Sequence, residues 1–318
     1  MKITVAGCGR WGSFIAWYLN KIGHEVTLCA RKGSEKFEQL VKTRSNGLLE
    51  LSQSINLSDD IANSARQAQV LVVSIASQAL SAFARGLKKA GIQNKDIVLC
   101  MKGMEISTGR RLSQIISDEL PDCRCAVWLG PGHVQEFLAG IPNCMVIDSD
   151  SDELKSMLVE SFSGNLIRFY YGNDLIGNEI GAAAKNVIGI AAGMLDALSL
   201  SSLKGALMSR GTREIARLIK ASGGNELSAY GLCHLGDYEA TVFSKFSHNR
   251  SFGEAFVKGQ QYGELAEGYY TVKALVKQAG KFDVDLPICN AVYDILYCDK
   301  KPAEALNALF SRSLKSEF

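Results

Sequence analysis

A glycine-rich turn near the start of the chain constrains its fold more than any other feature of the sequence. The apolar run "KITVA" at residues 2–6 leads into "GCGRWG" at 7–12, which is followed by the helical pattern "SFIAWYLNKIG". Three glycines at this spacing, between a strand and a helix, are typical of a turn that holds a dinucleotide pyrophosphate. Glycines also serve ordinary turns, but the preceding strand and the following helix favour a dinucleotide site.

Each position of this turn has a predicted role. Gly7 permits the tight turn, Gly9 lets the backbone approach a pyrophosphate, and Gly12 lets the helix pack closely on the strand. The first amides of the helix then face the phosphates. Arg10 and Trp11 lie between the last two glycines, and we predict that they contact the cofactor as well.

The end of the second strand bears on which cofactor is bound. About 20 residues past the turn, a cofactor without a 2′-phosphate ordinarily meets an acidic residue. This chain instead has "CARKGS", which places Arg31 and Lys32 there. Two cations suit a 2′-phosphate, so we predict that NADP(H) binds at least as well as NAD(H). A solvated basic turn is the alternative, and the nearby Glu35 keeps NAD(H) as a second candidate.

The pattern of apolar runs indicates the architecture. Short runs alternate with helical stretches up to residue 171: "KITVAG", "EVTLCA", "VLVVSI", "IVLCM", "CAVWLG", "NCMVI" and "LIRFYY". Near-continuous apolar strands separated by helices indicate a mostly parallel sheet that is covered on both faces. Beyond "YYGNDLIGN" the pattern is helical. We predict a doubly wound α/β Rossmann domain over residues 1–175 and an all-α substrate-binding and catalytic domain over 176–318.

The composition excludes several classes of protein. The 35 Lys and Arg nearly balance the 33 Asp and Glu, so no strong positive field is present to bind nucleic acid or an anionic membrane. Nine scattered cysteines lack the paired spacing of a zinc site, so we expect reduced core cysteines and no metal. No apolar run reaches the roughly 20 residues of a membrane span, and the first strand begins at Lys2, without room for a signal peptide. We therefore expect a cytoplasmic location.

The run "GAAAKNVIGIAAGMLDAL" at residues 181–198 is small and apolar, yet it contains Lys185. A lysine in such a helix usually extends its stem along the surface and its charge into water. Steps of three or four residues from Lys185 meet Gly189, Ala192 and Asp196, a stripe with little side-chain bulk. Close packing is therefore predicted on this face, either of another helix or of a ligand that the ammonium reaches.

With this helix after a dinucleotide domain, the chain resembles the NAD(P)-dependent glycerol-3-phosphate dehydrogenases. The similarity runs nearly end to end and includes, in order, "GCGRWG", "MKGME" at 101–105, "GPGHVQE" at 130–136, "GAAAKN" at 181–186, "MSRGTREIARL" at 208–218, "LGDYEAT" at 235–241, "SHNRSFG" at 247–253 and "EGYYTVK" at 267–273. The resemblance implies reduction of dihydroxyacetone phosphate, a small phosphorylated substrate, to sn-glycerol 3-phosphate, a phospholipid precursor. It also implies a homodimer.

The resemblance assigns the catalytic residues by position. Lys185 would exchange a proton with the substrate oxygen, with Asn186 beside it in the pocket. On this interpretation the stripe that begins at Lys185 is small because cofactor and substrate pack against it. Lys102 would lie near the substrate carbonyl and the cofactor, and Asp237 near Lys185. The chemistry needs such groups because hydride delivery places negative charge on the carbonyl oxygen. Without the resemblance, Lys102 is an ordinary surface lysine and Asp237 a helix or turn cap.

The remaining roles follow from the same resemblance. Thr241 and Asn249, and with them Arg250, would line the phosphate end of the substrate site. Arg250 is also expected to contact the cofactor. Glu267 falls where the family contacts the cofactor ribose.

Two segments on the substrate side depart from the family pattern. The family usually has an arginine in an S-R-N-R segment to grip the substrate phosphate, whereas this chain has "SHNR" with His248. Arginine offers a permanent two-pronged donor, and histidine is mostly neutral near pH 7. The usual G-P-[ST]-F-A-x-E is "GPGHVQE" here, so Gly132 removes a hydroxyl from the substrate site. Either the substrate differs, or Arg250 and neighbouring backbone groups replace the missing arginine.

Two further functions are consistent with the sequence. Related two-domain enzymes also place a lysine on the first helix after the Rossmann domain, so a reductase of another 2-keto or β-hydroxy substrate is one alternative. A cofactor-binding regulator without catalysis is the other. The joint presence of Lys102, Lys185, Asn186 and Asp237 favours an enzyme.

Overall fold

A computed structural model describes residues 1–314 and 316. Over these residues the chain divides into two compact units: unit 1 comprises 1–102 and 110–175, and unit 2 comprises 103–109 and the described chain from 176 onward. The segment 103–109, which the sequence analysis places in the first domain, therefore groups with unit 2.

The strands of unit 1 are β1 (Lys2–Ala6), β2 (Glu25–Cys29), β3 (Asn56–Ser58), β4 (Val70–Val73), β5 (Asp96–Leu99), β6 (Arg124–Leu129), β7 (Asn143–Ser149) and β8 (Ile167–Tyr171). Among the described residues they form one eight-stranded sheet in the order β3-β2-β1-β4-β5-β6-β7-β8. Neighbouring strands are parallel except β6 and β7, which run antiparallel with Ala126 opposite Ser149. The predicted Rossmann architecture is confirmed, but strand β3 was not predicted from the sequence.

The helices of unit 1 are α1 (Arg10–Lys21), α2 (Glu35–Thr43), α3 (Ile61–Gln67), α4 (Leu80–Lys89), α5 (Leu112–Glu119), α6 (Val134–Leu138) and α7 (Asp152–Phe162). The four residues of β4 are all fully buried, as expected for a central strand with both faces covered. The core contains large side chains such as Phe14, Tyr18 and Trp128. The Tyr18 hydroxyl is satisfied there, because it donates to the Phe162 carbonyl at 2.6 Å.

Unit 2 is helical. Its helices are α8 (Leu175–Ala197), α9 (Lys204–Ala221), α10 (His248–Val257), α11 (Glu267–Lys281), α12 (Pro287–Tyr297) and α13 (Pro302–Phe310). Three short helical turns connect α9 to α10: 3₁₀ turns at Glu226–Tyr230 and Leu235–Asp237, and a π-helical turn at Glu239–Phe243. No strand occurs in the described part of unit 2, which confirms the predicted all-α domain.

Helix α8 is the central helix of unit 2. It alone among the described helices is long and apolar enough to cross a membrane, but 89% of its most apolar window is buried inside the protein, as in a core helix. Helix α10 packs on α8 so closely that the backbones of the two helices are in contact. A Cβ at Gly193 would lie 1.9 Å from the Arg250 carbonyl oxygen, and one at Gly253 would lie 2.1 Å from that of Ile190. These glycines therefore permit the contact between the two helices.

Candidate active site

The glycine-rich turn of unit 1 has two glycines that the fold requires and one that it does not. Gly7 has a φ of +113°, and a Cβ there would lie 2.1 Å from the Ser74 carbonyl oxygen. A Cβ on Gly12 would lie 1.9 Å from the Gly7 carbonyl oxygen. A Cβ on Gly9 would meet nothing within 4 Å. The space beside Gly9 is therefore open to a ligand.

The position of this turn fits a dinucleotide. It connects β1 to the N-terminus of α1, and β1 is the strand from which the order reverses, with β2 on one side and β4 on the other. Ligands of such sheets bind at this reversal, where the helix amides face an anion. The indole of Trp11 packs against Phe14, with ring centroids 5.1 Å apart, whereas Arg10 is exposed. Trp11 thus has a packing role in unit 1 whatever it contributes to the cofactor.

The basic pair of the sequence analysis lies in the turn between β2 and α2. Arg31 and Lys32 are both exposed, and the Ser34 amide donates to the Arg31 carbonyl at 3.1 Å. Because β1 and β2 are parallel neighbours, this turn and the glycine-rich turn lie at the same edge of the sheet. The two cations can therefore meet a phosphate on the adenosine ribose of a cofactor bound at that edge.

Two predicted substrate-side residues of unit 1 follow β5 and β6. The ammonium of Lys102 donates to the Gly130 carbonyl at 2.6 Å. Gly132 has a φ of +142°, and a Cβ there would lie 2.4 Å from the ring of Phe137. A side chain with a hydroxyl does not fit at this position while Phe137 keeps its place. Packing against Phe137 therefore explains the glycine at position 132 independently of any substrate.

The predicted catalytic lysine lies in unit 2 beside its predicted partner Asp237 and beside Thr241, which was predicted to line the phosphate end of the substrate site. Lys185 is 8% exposed, and its Nζ donates to Thr241 Oγ1 at 2.7 Å and lies 3.2 Å from Asp237 Oδ2. Thr241 in turn donates its hydroxyl to the Asp237 carbonyl at 2.8 Å. Asp237 is only 1% exposed, so the ion pair is held away from bulk water. The arrangement presents a buried ammonium paired with the Asp237 carboxylate.

Asn249 joins the Lys185 helix to the start of α11. Its Nδ2 donates to Asn186 Oδ1 at 3.0 Å, and its Oδ1 accepts from the Gly268 amide at 2.9 Å. A Cβ on Gly268 would lie 2.6 Å from the Asn186 carbonyl oxygen, so the two helices touch at this point. Glu267, the first residue of α11, directly precedes the contact. The structure thus brings Asn186, Asn249 and Glu267 into one region of unit 2.

The small-residue stripe on α8 is occupied by protein. A Cβ on Gly189 would lie 2.6 Å from Thr241 Cγ2 and 3.3 Å from Asn249 Cβ. At the end of the stripe, Asp196 forms ion pairs with Lys204 and Arg250. The expectation that cofactor and substrate pack against the stripe is therefore wrong at Gly189, where the side chains of Thr241 and Asn249 occupy the space. The stripe holds Thr241 and Asn249 against the helix that contains Lys185.

Arg250 belongs to a separate ionic cluster. Its guanidinium donates to Asp196 at 2.9 Å, to Glu254 at 3.1 Å and to the Ser244 carbonyl at 3.2 Å. Burial acts to raise the pKa of Asp196, but hydrogen bonds from Lys204, Ser201 and Arg250 hold that pKa below its ordinary value. The guanidinium therefore already has carboxylate partners within unit 2.

His248 lies at the start of α10, directly after the helix cap. Ser247 caps the helix by accepting from the Arg250 amide at 3.3 Å. The Nδ1 atom of His248 lies 2.7 Å from the Tyr262 hydroxyl, and the two rings meet edge to face at 6.3 Å. The Tyr262 hydroxyl therefore holds the His248 ring in one orientation.

His234, a fully buried histidine in "GLCHLGDY", was not predicted from the sequence. Its Nδ1 lies 2.8 Å from the Gly181 carbonyl oxygen and its Nε2 lies 2.8 Å from the Tyr238 hydroxyl. Burial lowers the pKa of His234 to about 4. The sequence does contain an indication that His234 belongs to the site, since the chain has only four histidines and this one precedes Asp237 by three residues.

Family comparisons match both units. The family model of the NAD-dependent glycerol-3-phosphate dehydrogenase N-terminus matches residues 2–155, and that of the C-terminus matches residues 174–307. The chain belongs to this family. The resemblance seen in the motifs is thereby confirmed.

Individual members of the glycerol-3-phosphate dehydrogenase family are similar along the whole chain. An NAD(P)+ glycerol-3-phosphate dehydrogenase of Thermoanaerobacter sp. (strain X514) is 33% identical over 100% of this chain and 99% of its own length. The same enzyme of Fusobacterium nucleatum is 35% identical over 100% of this chain and 98% of its own. The crystal structure of the glycerol-3-phosphate dehydrogenase of Coxiella burnetii superposes with a TM-score of 0.91 at 27% identity, covering 98% of this chain and 99% of that one.

This family member has a second buried titratable group in unit 2, the carboxylate of Glu214 on α9. Glu214 is 2% exposed, and it accepts hydrogen bonds from the Ile288 amide at 2.9 Å and the Cys289 amide at 3.0 Å, at the start of α12. Burial outweighs these bonds and raises the pKa of Glu214 to about 7. Both Glu214 and His234 are therefore kept neutral by the fold over part of the mildly acidic range.

Opposite pH dependences of stability are expected from these two groups. Folded Glu214 keeps its proton up to about pH 7 while the unfolded chain loses it near 4.5, so its contribution falls as the pH rises from 4.5 to 7. Folded His234 stays neutral down to about pH 4, whereas in the unfolded chain it is protonated near pH 6.5. Its contribution to the free energy of unfolding therefore falls as the pH drops from 6.5 to 4. Each effect is on the order of 3 kcal/mol over its range.

Denaturant unfolding between about pH 4 and 8 checks this expectation. Relative to Glu214→Gln, the wild type should lose stability as the pH rises through the range of the glutamate. Relative to His234→Asn, it should gain stability as the pH rises through the range of the histidine. Parallel profiles for wild type and either variant would show that the missing group titrates alike in folded and unfolded chains.

Proposed function

We propose that the protein catalyses the reversible reduction of dihydroxyacetone phosphate to sn-glycerol 3-phosphate with NADPH or NADH. The observation that supports this most directly is the buried Lys185–Asp237 pair, with Nζ 3.2 Å from the carboxylate, in a chain that belongs to the glycerol-3-phosphate dehydrogenase family. The names of the family members that cover the whole chain support the same reaction.

The proposed role of Lys185 is proton exchange with the substrate oxygen. When bound, the reduced nicotinamide supplies the hydride to the carbonyl carbon. The ammonium of Lys185 gives a proton to the oxygen as charge develops there, which leaves a neutral amine and an alcohol. Asp237 keeps the ammonium charged and oriented before the transfer. In the oxidative direction the amine takes the proton back.

The cofactor is proposed to be NADP(H) at least as readily as NAD(H). The open space at Gly9 and the N-terminus of α1 suit the pyrophosphate. The exposed side chains of Arg31 and Lys32 at the end of β2 suit a 2′-phosphate. Neither cation excludes NAD(H), which lacks that phosphate.

The substrate phosphate is proposed to be held in unit 2 near Thr241, His248 and Asn249. Arg250 is committed to Asp196 and Glu254, so it is a poor replacement for the arginine that the family usually has at position 248. A neutral imidazole offers a single donor, so a weaker grip on a terminal phosphate is expected. This observation also favours the second candidate function, reduction of another small 2-keto or β-hydroxy substrate on the same scaffold.

The test is the oxidation of NADPH and of NADH with dihydroxyacetone phosphate by the wild type and by His248→Arg. We expect turnover by the wild type, and a KM for dihydroxyacetone phosphate about tenfold lower in the variant, because arginine adds a charge-assisted hydrogen bond. Turnover confined to the variant would favour the second function. Tight NADPH binding without turnover by either protein would contradict the first function and would favour a different ketone substrate or a cofactor-binding protein without catalysis.

Two further proposals concern the setting of the enzyme. The near balance of charges and the burial of α8 support a cytoplasmic protein. The resemblance to the family supports a homodimer.

A further inference from the structure

His234 and Tyr238 form a buried pair whose hydrogen atoms can be assigned. The Gly181 carbonyl only accepts, so Nδ1 of His234 must be the protonated nitrogen that donates to it at 2.8 Å. In the neutral ring Nε2 is then an acceptor, and the Tyr238 hydroxyl donates to it at 2.8 Å. The lowered pKa of His234 agrees with a neutral ring. The two hydrogen bonds therefore run in one donor-to-acceptor direction, from the Tyr238 hydroxyl to the imidazole and from the imidazole to the Gly181 carbonyl of α8.

The Gly181 carbonyl lies one helical turn before Lys185. In an α-helix the carbonyl of residue 181 accepts from the amide of residue 185, so the imidazole binds the turn that holds the lysine. The approach requires a glycine, because a Cβ at Gly181 would lie 2.9 Å from His234 Cβ. His234 is thus fitted to this one turn of α8.

The same histidine is also tied to the other half of the ion pair. The amide of Asp237 donates to the His234 carbonyl at 3.0 Å within the 3₁₀ turn. The Asp237 carboxylate then lies 3.2 Å from Lys185 Nζ. One residue therefore contacts the Lys185 turn through its side chain and the Asp237 turn through its backbone.

We propose that His234, oriented by Tyr238, is a positioning residue that sets the distance between Lys185 and Asp237. The inference rests on the proposed function only for its catalytic consequence. The imidazole binds the Gly181 carbonyl and the His234 carbonyl binds the Asp237 amide, so the effect is exerted through the backbone of α8 and of the 3₁₀ turn. Loss of the imidazole allows the two turns to separate and misplaces the proton donor, which lowers kcat more than it changes KM.

Three variants separate positioning from simple packing. In His234→Asn the side-chain amide takes the place of Nδ1 and still donates to Gly181, whereas His234→Leu fills space without a donor. Tyr238→Phe removes only the hydroxyl. With dihydroxyacetone phosphate we expect kcat to fall at least about tenfold in His234→Leu, with KM within about threefold of the wild type. His234→Asn should recover most of the loss, and Tyr238→Phe should lie between them.

Hydrogen exchange gives a readout that needs no substrate. Exchange of the amides of residues 181–189 should be faster in His234→Leu than in the wild type, while peptides of β1 and β4 should exchange alike. Equal kcat values for His234→Leu and His234→Asn, or unchanged exchange at 181–189 in a folded His234→Leu protein, would overturn the inference. A wild type that exchanges as expected yet does not reduce dihydroxyacetone phosphate would refute the proposed function and leave the positioning role supported.

Discussion

Replacing Lys185 with arginine is expected to lower kcat for dihydroxyacetone phosphate by roughly 10²- to 10⁴-fold, the usual contribution of a positioned proton donor. Arginine keeps the positive charge that Asp237 requires, so the buried carboxylate does not lose its partner. It cannot give up a proton near neutral pH, because guanidinium stays charged throughout the accessible range. The substitution therefore removes proton transfer while it preserves the ion pair.

Lys204 provides the matched control. It is 7% exposed, and its ammonium lies 2.7 Å from Asp196, so it occupies a buried ion pair of the same kind in the same unit. Lys204→Arg imposes the same change in size and shape without touching the Lys185 pair. We expect it to retain kcat within about threefold of the wild type, because arginine keeps a positive charge opposite Asp196 and Lys204 has no part in the proposed proton transfer.

Steady-state kinetics with NADPH, together with NADPH titration of each variant, check this expectation. The NADPH affinity of Lys185→Arg should match that of the wild type, because the glycine-rich turn lies in unit 1. A kcat for Lys185→Arg close to that of Lys204→Arg would exclude Lys185 as the proton donor. Lys185→Met, which removes the charge as well, should be no more active than Lys185→Arg.

The sequence predicted the Rossmann sheet because its strands are buried on both faces and therefore appear as short apolar runs. Strand β3 was missed because it does not form an apolar run: it has three residues, "NLS", and none is fully buried. The turn at Gly7 was predictable because its geometry depends on residues close in sequence. The grouping of 103–109 with unit 2 depends on long-range packing, which no local pattern encodes.

The candidate site of unit 2 was predictable only through resemblance. Lys185 and Asp237 are 52 positions apart in the sequence, and no periodicity links them. The commitment of Arg250 to Asp196 follows from the close contact of α10 with α8, which a motif does not reveal. His234 was missed because its importance lies in its burial and in a carbonyl partner, Gly181, on another helix.

Opposite results are expected from alanine at two glycines of the same turn. Gly12→Ala should destabilise unit 1 by roughly 3 kcal/mol or more, because its Cβ would lie 1.9 Å from a backbone oxygen that cannot move without the β1–α1 turn. Gly9→Ala should leave stability within about 0.5 kcal/mol of the wild type, because its φ of −67° suits alanine and its Cβ meets no protein atom. The same variant should lose about 10- to 100-fold in NADPH affinity, since the methyl group occupies the approach of the pyrophosphate.

Gly86→Ala is the control for the Gly9 variant. Gly86 lies within α4, where a Cβ likewise meets nothing within 4 Å, so alanine there should fold normally and bind NADPH as the wild type does. Denaturant unfolding and NADPH fluorescence titration measure the two quantities separately. If Gly9→Ala and Gly86→Ala bind NADPH equally well, the turn is an ordinary strand-to-helix connection. If only Gly9→Ala is impaired, the open side of that glycine faces the cofactor, because no contact within the protein distinguishes the two substitutions.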